Sequence, residues 1–285
     1  MKKMLFPAIA AVMLATLGAC GGSHNNYAES SISDEGLDST LCQFDNIVKS
    51  SLMLYVSEEN DTFYIDNSVR VFWPTLINGK TPTALQEALL GELVDSAGIT
   101  TIDQTIACLL ECNYPEGKER ETLTEVTEFA GEEPQISTAN VKVQLQELGT
   151  RLLRYHIYFD QFNAGAAHGI YASRFVTYDL RNDKVLTLND IVADTTLLRT
   201  AILKSIKQEY NYGKDDLFIP DNGLLPLPSD FFIDGSVLHA VYQVYDIASY
   251  AQGAIDAPIY PYLLKPEEIK RLYTPLGLEL IDYIE

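Results

Sequence analysis

The sequence predicts an α+β protein of two domains, with mostly antiparallel sheets and a few helices packed on them. Three observations point there. Short runs rich in β-branched and aromatic residues recur along the chain. Apolar stripes with helical spacing stand between them. The chain has 285 residues, 47% of them hydrophobic, which is enough to bury one or two real cores.

The chain opens with Lys2 and Lys3, an apolar run from Met4 to Leu17, and then Leu17-Gly18-Ala19-Cys20. A charged start, a short apolar core, small residues and a cysteine form a bacterial lipoprotein signal. The run is too short for a membrane span of roughly 20 residues. Residues 1–19 are therefore read as a leader, with Cys20 carrying the lipid that links the protein to the membrane. Gly21, rather than Asp, follows the cysteine, which favours the outer membrane of a Gram-negative bacterium. Residues 20–40 are rich in Gly, Ser, Asn and Asp and read as a flexible linker.

The first domain is expected over residues 41–140. Leu52–Tyr55 and Val69–Trp73 read as strands. Thr81-Pro82 starts a helix with Thr as cap and Pro in the first turn, and Leu85, Ala88, Leu89 and Leu93 make its stripe. A second helix starts at Thr101, where Thr101 and Gln104 fit a capping box, and buries Ile102, Ile106, Leu109 and Leu110. The acidic stretch 111–133 reads as a solvated loop and an exposed edge strand.

The second domain is expected over residues 141–285. Tyr155, Ile157 and Phe159 alternate with Arg154, His156, Tyr158 and Asp160, the period of a sheet with one core face. The small-residue loop Asn163–Gly169 follows, then a strand over Ser173–Leu180, a turn, and a strand over Val185–Leu188. Asp194 caps a helix whose stripe is Leu198, Ile202, Ile206 and Tyr210. Phe231–Ile233 and Val237–Tyr245 form a hairpin across Asp234-Gly235. Pro266 opens a short helix, and Leu278–Ile284 reads as a closing strand.

Formal net charge is −20, with 22 acidic and 6 basic residues between positions 20 and 150. Such a chain lacks the clustered Lys and Arg that hold nucleic acid. Anionic headgroups also repel it, so the lipid does the anchoring. An acidic surface attracts basic partners. Cys42, Cys108 and Cys112 follow Cys20. Three cysteines cannot all pair within one chain. Cys42 bridging Cys108 or Cys112, and three buried thiols, both remain open.

Motifs for chemistry are sparse. Asn78-Gly79-Lys80-Thr81 ends like a phosphate loop, but Pro74 stands where its first glycine belongs. There is no Gly-x-Ser-x-Gly elbow and no His-x-x-x-His pair, so no catalytic, metal or cofactor site is assigned. Asp160, Asp246 and Asp256 are the carboxylates that could approach the histidines of the second domain. His168, with Gly165 and Gly169 around it, is the best ligand-loop candidate, because small neighbours let a ligand reach backbone and ring. Tyr245, Tyr250, Tyr260 and Tyr262 crowd one region, and tyrosine suits recognition by burying area with few rotors.

Ordered landmarks in the second domain add a resemblance. They are Gly165-Ala166-Ala167-His168-Gly169, Thr177-Tyr178-Asp179-Leu180 with Val185–Ile191, Tyr245-Asp246-Ile247-Ala248-Ser249-Tyr250-Ala251-Gln252-Gly253, and Ile259-Tyr260-Pro261-Tyr262-Leu263. The segment from about Arg154 to Leu264 resembles the extracytoplasmic domain of the anti-sigma factor RsiV, also an accessory domain of PdaC-type peptidoglycan deacetylases. The first domain is similar to the partner domain that precedes it in that family. Ala166 replaces the second of two adjacent glycines, and Ser249 stands where proline is usual. The anti-sigma relatives bind lysozyme, a basic protein. The resemblance implies a binding or sensing module and the signal sequence a lipid anchor, which together give a lipid-anchored module of the cell envelope for lysozyme, another basic protein or a peptidoglycan fragment. A cell-wall hydrolase using carboxylates and His168, or a structural envelope lipoprotein, are the alternatives.

Overall fold

A computed structural model describes residues 39–56, 62–95, 98–111, 120–123 and 135–282. The leader, Cys20, Cys112 and most of the linker lie outside these residues. The fold is α+β, and the chain divides into two compact units. The first runs to Tyr171 and takes in Leu180–Asp183; the second is Ala172–Asp179 and Lys184–Glu285.

In the first unit, β1 (Gln43–Val56), β2 (Thr62–Leu76), β3 (Arg120–Leu123), β4 (Gln135–Leu148) and β5 (Leu152–Phe162) form a sheet in the order β3-β1-β2-β4-β5. All neighbours are antiparallel except β2 and β4, which run parallel. β1 and β2 extend well beyond the runs legible in the sequence. Polar residues such as Ser50 and Ser68, paired across the two strands, interrupt the apolar pattern without interrupting the ladder. Ile65, Asn67, Val69, Val71 and Trp73 of β2 are all buried. α1 (Thr83–Leu93) buries Leu85, Leu89 and Leu93 as its stripe predicts, and α2 (Ile102–Glu111) buries Thr105 and Ile106. Asn67 ties α2 to the sheet by donating Nδ2 to the Leu110 carbonyl at 2.6 Å.

Details differ from the sequence reading. Pro82, not Thr81, is the cap position of α1, with Gln86 N–H donating to its carbonyl. The α2 cap is split: Thr101 Oγ1 accepts from Gln104 N–H, while Gln104 Oε1 reaches back to Thr100 N–H. Asn78-Gly79 forms a tight turn with both residues at positive φ, bridging Ile77 and Lys80, so this near-phosphate loop is a turn. The break between units also falls later than residue 140. β4 lies along β2 and pairs with β5, which keeps both strands with the first unit.

The second unit holds β6 (Ile170–Asp179) from Ala172 onward, β7 (Lys184–Val185), α3 (Leu188–Ile191), α4 (Thr195–Tyr210), β8 (Asp230–Asp234), β9 (Val237–Tyr242), β10 (Ile255–Ile259), α5 (Pro266–Leu272) and α6 (Pro275–Leu280). Strands β10, β9 and β8 form an antiparallel sheet with β9 in the middle. α4 packs on β10 through Leu198, Ile202 and Ile206, all fully buried. Its cap is the expected one: Asp194 accepts from Leu197 N–H at 2.8 Å. The expected strand over Val185–Leu188 stops at Val185, because Thr187 and Asp190 form a capping box that starts α3. Where a strand over Leu278–Ile284 is expected, Leu278–Leu280 instead end α6, and residues 283 and 284 lie outside the described residues: Thr274 Oγ1 accepts from Gly277 N–H at 2.9 Å, and Pro275 opens the helix.

Candidate binding surface

The Gln243–Ile247 segment is a turn built to present one ring. Asp246 N–H donates to the Gln243 carbonyl at 3.0 Å, and Gln243 N–H donates to Asp246 Oδ2 at 2.7 Å. The Gln243 amide is itself clamped to the Ser173 backbone on β6 through both its oxygen and its nitrogen. Phe218 N–H holds the far end by donating to the Ile247 carbonyl. Tyr245 therefore sits at the third position of the turn with φ +71°, where Gly or Asn is the ordinary occupant. Its side chain is 53% exposed and its ring lies 5.9 Å from that of Tyr250. An aromatic residue held in the left-handed region, with its ring in solvent, is costly for a purely structural turn.

A second pair lies at the end of β10. Tyr260 and Tyr262 have ring centroids 5.3 Å apart, and Tyr262 is 76% exposed. Partial burial, then the nearby Glu209 carboxylate, Tyr262 and the Asp256 carboxylate, push the Tyr260 hydroxyl above the usual tyrosine range. Tyr210, the last residue of α4, both donates to the Asp256 carbonyl and accepts from Asp256 N–H. These two hydrogen bonds fix the helix end against β10. A cavity of about 20 Å³ lies beside Tyr260, between α4 and Pro258–Leu264; it has the volume of one water and cannot hold a ligand ring.

The His168 loop is exposed, and His168 Nδ1 lies 2.9 Å from the Gly169 carbonyl. Its glycines have backbone reasons. Gly165 has φ +80°, and a Cβ at Gly169 would stand 2.5 Å from the Gln161 carbonyl oxygen. None of the three carboxylates considered with the histidines forms a hydrogen bond to His168. Asp160 accepts from Asn140, Asp246 closes the Tyr245 turn, and Asp256 meets His239. The His239–Asp256 pair is the one imidazole–carboxylate contact the second unit assembles among the described residues. Nδ1 lies 2.9 Å from both carboxylate oxygens, and the ring stacks on Phe232 at 4.3 Å. Its other ring nitrogen makes no hydrogen bond within the described residues. Sequence reasoning could not single out this pair, because β10 itself was not legible.

Among the described residues no group of three or more His, Cys, Asp or Glu is placed to hold a metal ion. No helix among them is long and apolar enough to cross a membrane. Cys42 and Cys108 are half-buried, and the expectation for Cys112 lies outside the described residues.

In the first unit, the face of the sheet away from Val69, Val71, Val141 and Val143 carries a group of polar residues. Asn140 donates to Asp160 at 2.8 Å and accepts from Ser68 Oγ, linking three strands. His156 sits on the same face beside Tyr158, and burial followed by the Arg154 charge lowers its pKa, so its ring is neutral at pH 7. Asp66 of β2 is half-buried, and burial pushes its carboxyl up to about 6.

Two solved structures share this architecture. A member of the DUF3298 family from Bacteroides fragilis NCTC 9343 matches with TM-score 0.60 and 16% identity, over 84% of this chain and 97% of that one. A DUF3298 family protein from Pseudomonas aeruginosa PAO1 matches with TM-score 0.52 and 14% identity, over 83% and 96%. The chain has the fold of DUF3298 family proteins. No family model and no curated protein matches the sequence. At these identities the likeness to the DUF3298 proteins extends to the fold, and the ligand must be argued from the side chains of this chain.

Proposed function

We propose that this protein is a lipid-anchored, non-catalytic binding or sensing module of the cell envelope. Its tyrosine-bearing surface on the second unit recognises a basic protein, as the RsiV-like landmarks of the sequence imply for lysozyme. The observation that carries this reading is a pair of tyrosine rings, one of them exposed, with carboxylates near the other. Tyr262 is 76% exposed, and Glu209 and Asp256 lie close enough to Tyr260 to shift its hydroxyl. A Lys or Arg of a partner gains a ring face and a counter-charge at such a place. The strained, exposed Tyr245 beside Tyr250 supplies a second anchor. The Cys20 anchor puts the module at the outer membrane.

Titration of the full chain with hen lysozyme at low and high salt tests this. The expected result is binding that weakens only in part with salt, and that drops by about tenfold or more in Tyr262→Ala. Absence of binding at low salt would overturn the basic-protein reading, as would binding that vanishes with salt and ignores Tyr262→Ala. A peptidoglycan fragment would then be the next ligand to test.

A further inference from the structure

The first unit places two of its few cations side by side on one face of its sheet. Register places Arg70 of β2 directly beside Lys142 of β4, and Lys142 directly beside Tyr158 of β5. Val48 of β1, 54% exposed, completes the row. Val69, Val71, Val141 and Val143, which flank Arg70 and Lys142 in the chain, are buried, so these two cations point to the other face. Arg70 and Lys142 are exposed, and among the described residues neither makes an ion pair. Lys142 Nζ lies instead 5.8 Å from the centre of the Tyr158 ring.

Two cations side by side on neighbouring strands repel and weaken the pairing. Their placement is notable in this chain, because residues 20–150 hold only 6 basic residues against 22 acidic ones. An anion between them removes the repulsion. The rest of the face suits a sugar. The rings of Tyr158 and His156 stand 6.2 Å apart on alternate residues of β5, and the Asn140 amide lies one register step away from Lys142.

We propose that this face of the first unit binds an acidic oligosaccharide, with an anionic group of the sugar between Arg70 and Lys142 and a ring against Tyr158. This site is separate in residues and in charge from the tyrosine surface of the second unit. Nucleic acid and anionic membranes need many cations acting together, and this row offers only Arg70 and Lys142.

The test is titration of the full chain with tetragalacturonate, with its fully methyl-esterified form, and with tripolyphosphate. Tetragalacturonate is expected to bind with a Kd of about 1 mM or below, and the methyl ester at least about tenfold more weakly. The double variant Arg70→Gln/Lys142→Gln is expected to lose about tenfold or more while melting at the same or a higher temperature, because a repulsive pair is removed. Three outcomes would overturn the proposal: no binding of tetragalacturonate by about 10 mM, equal binding by the double variant, or tripolyphosphate binding at least as tightly as the sugar.

Discussion

Tyr245 offers a direct check on the idea that the second unit spends stability to display a ring. Its φ of +71° places an L-residue where Cβ crowds the following carbonyl, at a cost of about 1–2 kcal/mol. Glycine pays no such cost but gives up about 0.5–1 kcal/mol through its freer unfolded chain. At an ordinary position alanine is therefore the more stable of the two. At Tyr245 the order reverses, and Tyr245→Gly should exceed Tyr245→Ala by about 1 kcal/mol. Both variants lose the contact with Tyr250, so that loss cancels in the comparison. Hydrogen exchange of the β9 amides reads the difference within the second unit, as slower exchange by about fivefold in the glycine variant. Both variants should lose lysozyme binding, because neither keeps the ring. Equal protection, or better protection in Tyr245→Ala, would refute the left-handed turn and with it the strain argument.

Two further substitutions probe the frame. Gly277→Ala would drive a Cβ into the Ile191 carbonyl where α6 meets α3, and should lower stability by about 2 kcal/mol, read as a fall in the urea midpoint at unchanged slope; an unchanged midpoint would mean that this approach is loose. Asp66 is held at about 6 by burial, above its usual 3.8, so the folded state keeps the proton more tightly than the unfolded chain. Stability from this group therefore falls as pH rises from about 4 to 6 and stays low above that window. Asp66→Asn should stabilise the first unit at pH 7 by about 1 kcal/mol, the side chain's solvent-facing half screening the rest, and should give nothing at pH 4. Fluorescence of Trp73, the one tryptophan, follows that unit, and an equal effect at both pH values would contradict the assignment.

What could be seen in the sequence depended on whether local signals agreed. α4 was legible because the Asp194 cap and the Leu198, Ile202 and Ile206 stripe point to the same helix. The hairpin of β8 and β9 was legible because Asp234-Gly235 sits between two apolar runs, with Gly235 at positive φ. β10 was hidden by Pro258, which breaks the usual strand signature; as the edge of its sheet, the strand can spare that N–H. α6 was misread because Leu278–Ile284 is a short apolar run that fits strand and helix equally, although Thr274-Pro275 is a helix start. The tyrosines were visible as a cluster, but the positive φ of Tyr245 is imposed by the Gln243, Asp246 and Phe218 bonds around it. The His239–Asp256 contact required the register of a strand that could not be read.

Net charge was the least transferable of the sequence observations. A value of −20 describes neither surface. At physiological ionic strength the Debye length is about 8 Å, so a ligand responds to the few side chains it touches and hardly to the total. Glu209 and Asp256 beside Tyr260 make one patch that favours cations. Arg70 beside Lys142, with a ring and, among the described residues, no carboxylate paired to either, makes another that favours anions. An acidic chain can thus hold an acidic sugar where strand register, rather than composition, brings two of its rare cations together. The bulk charge then acts at longer range, slowing the approach of that anion and speeding the approach of a basic protein.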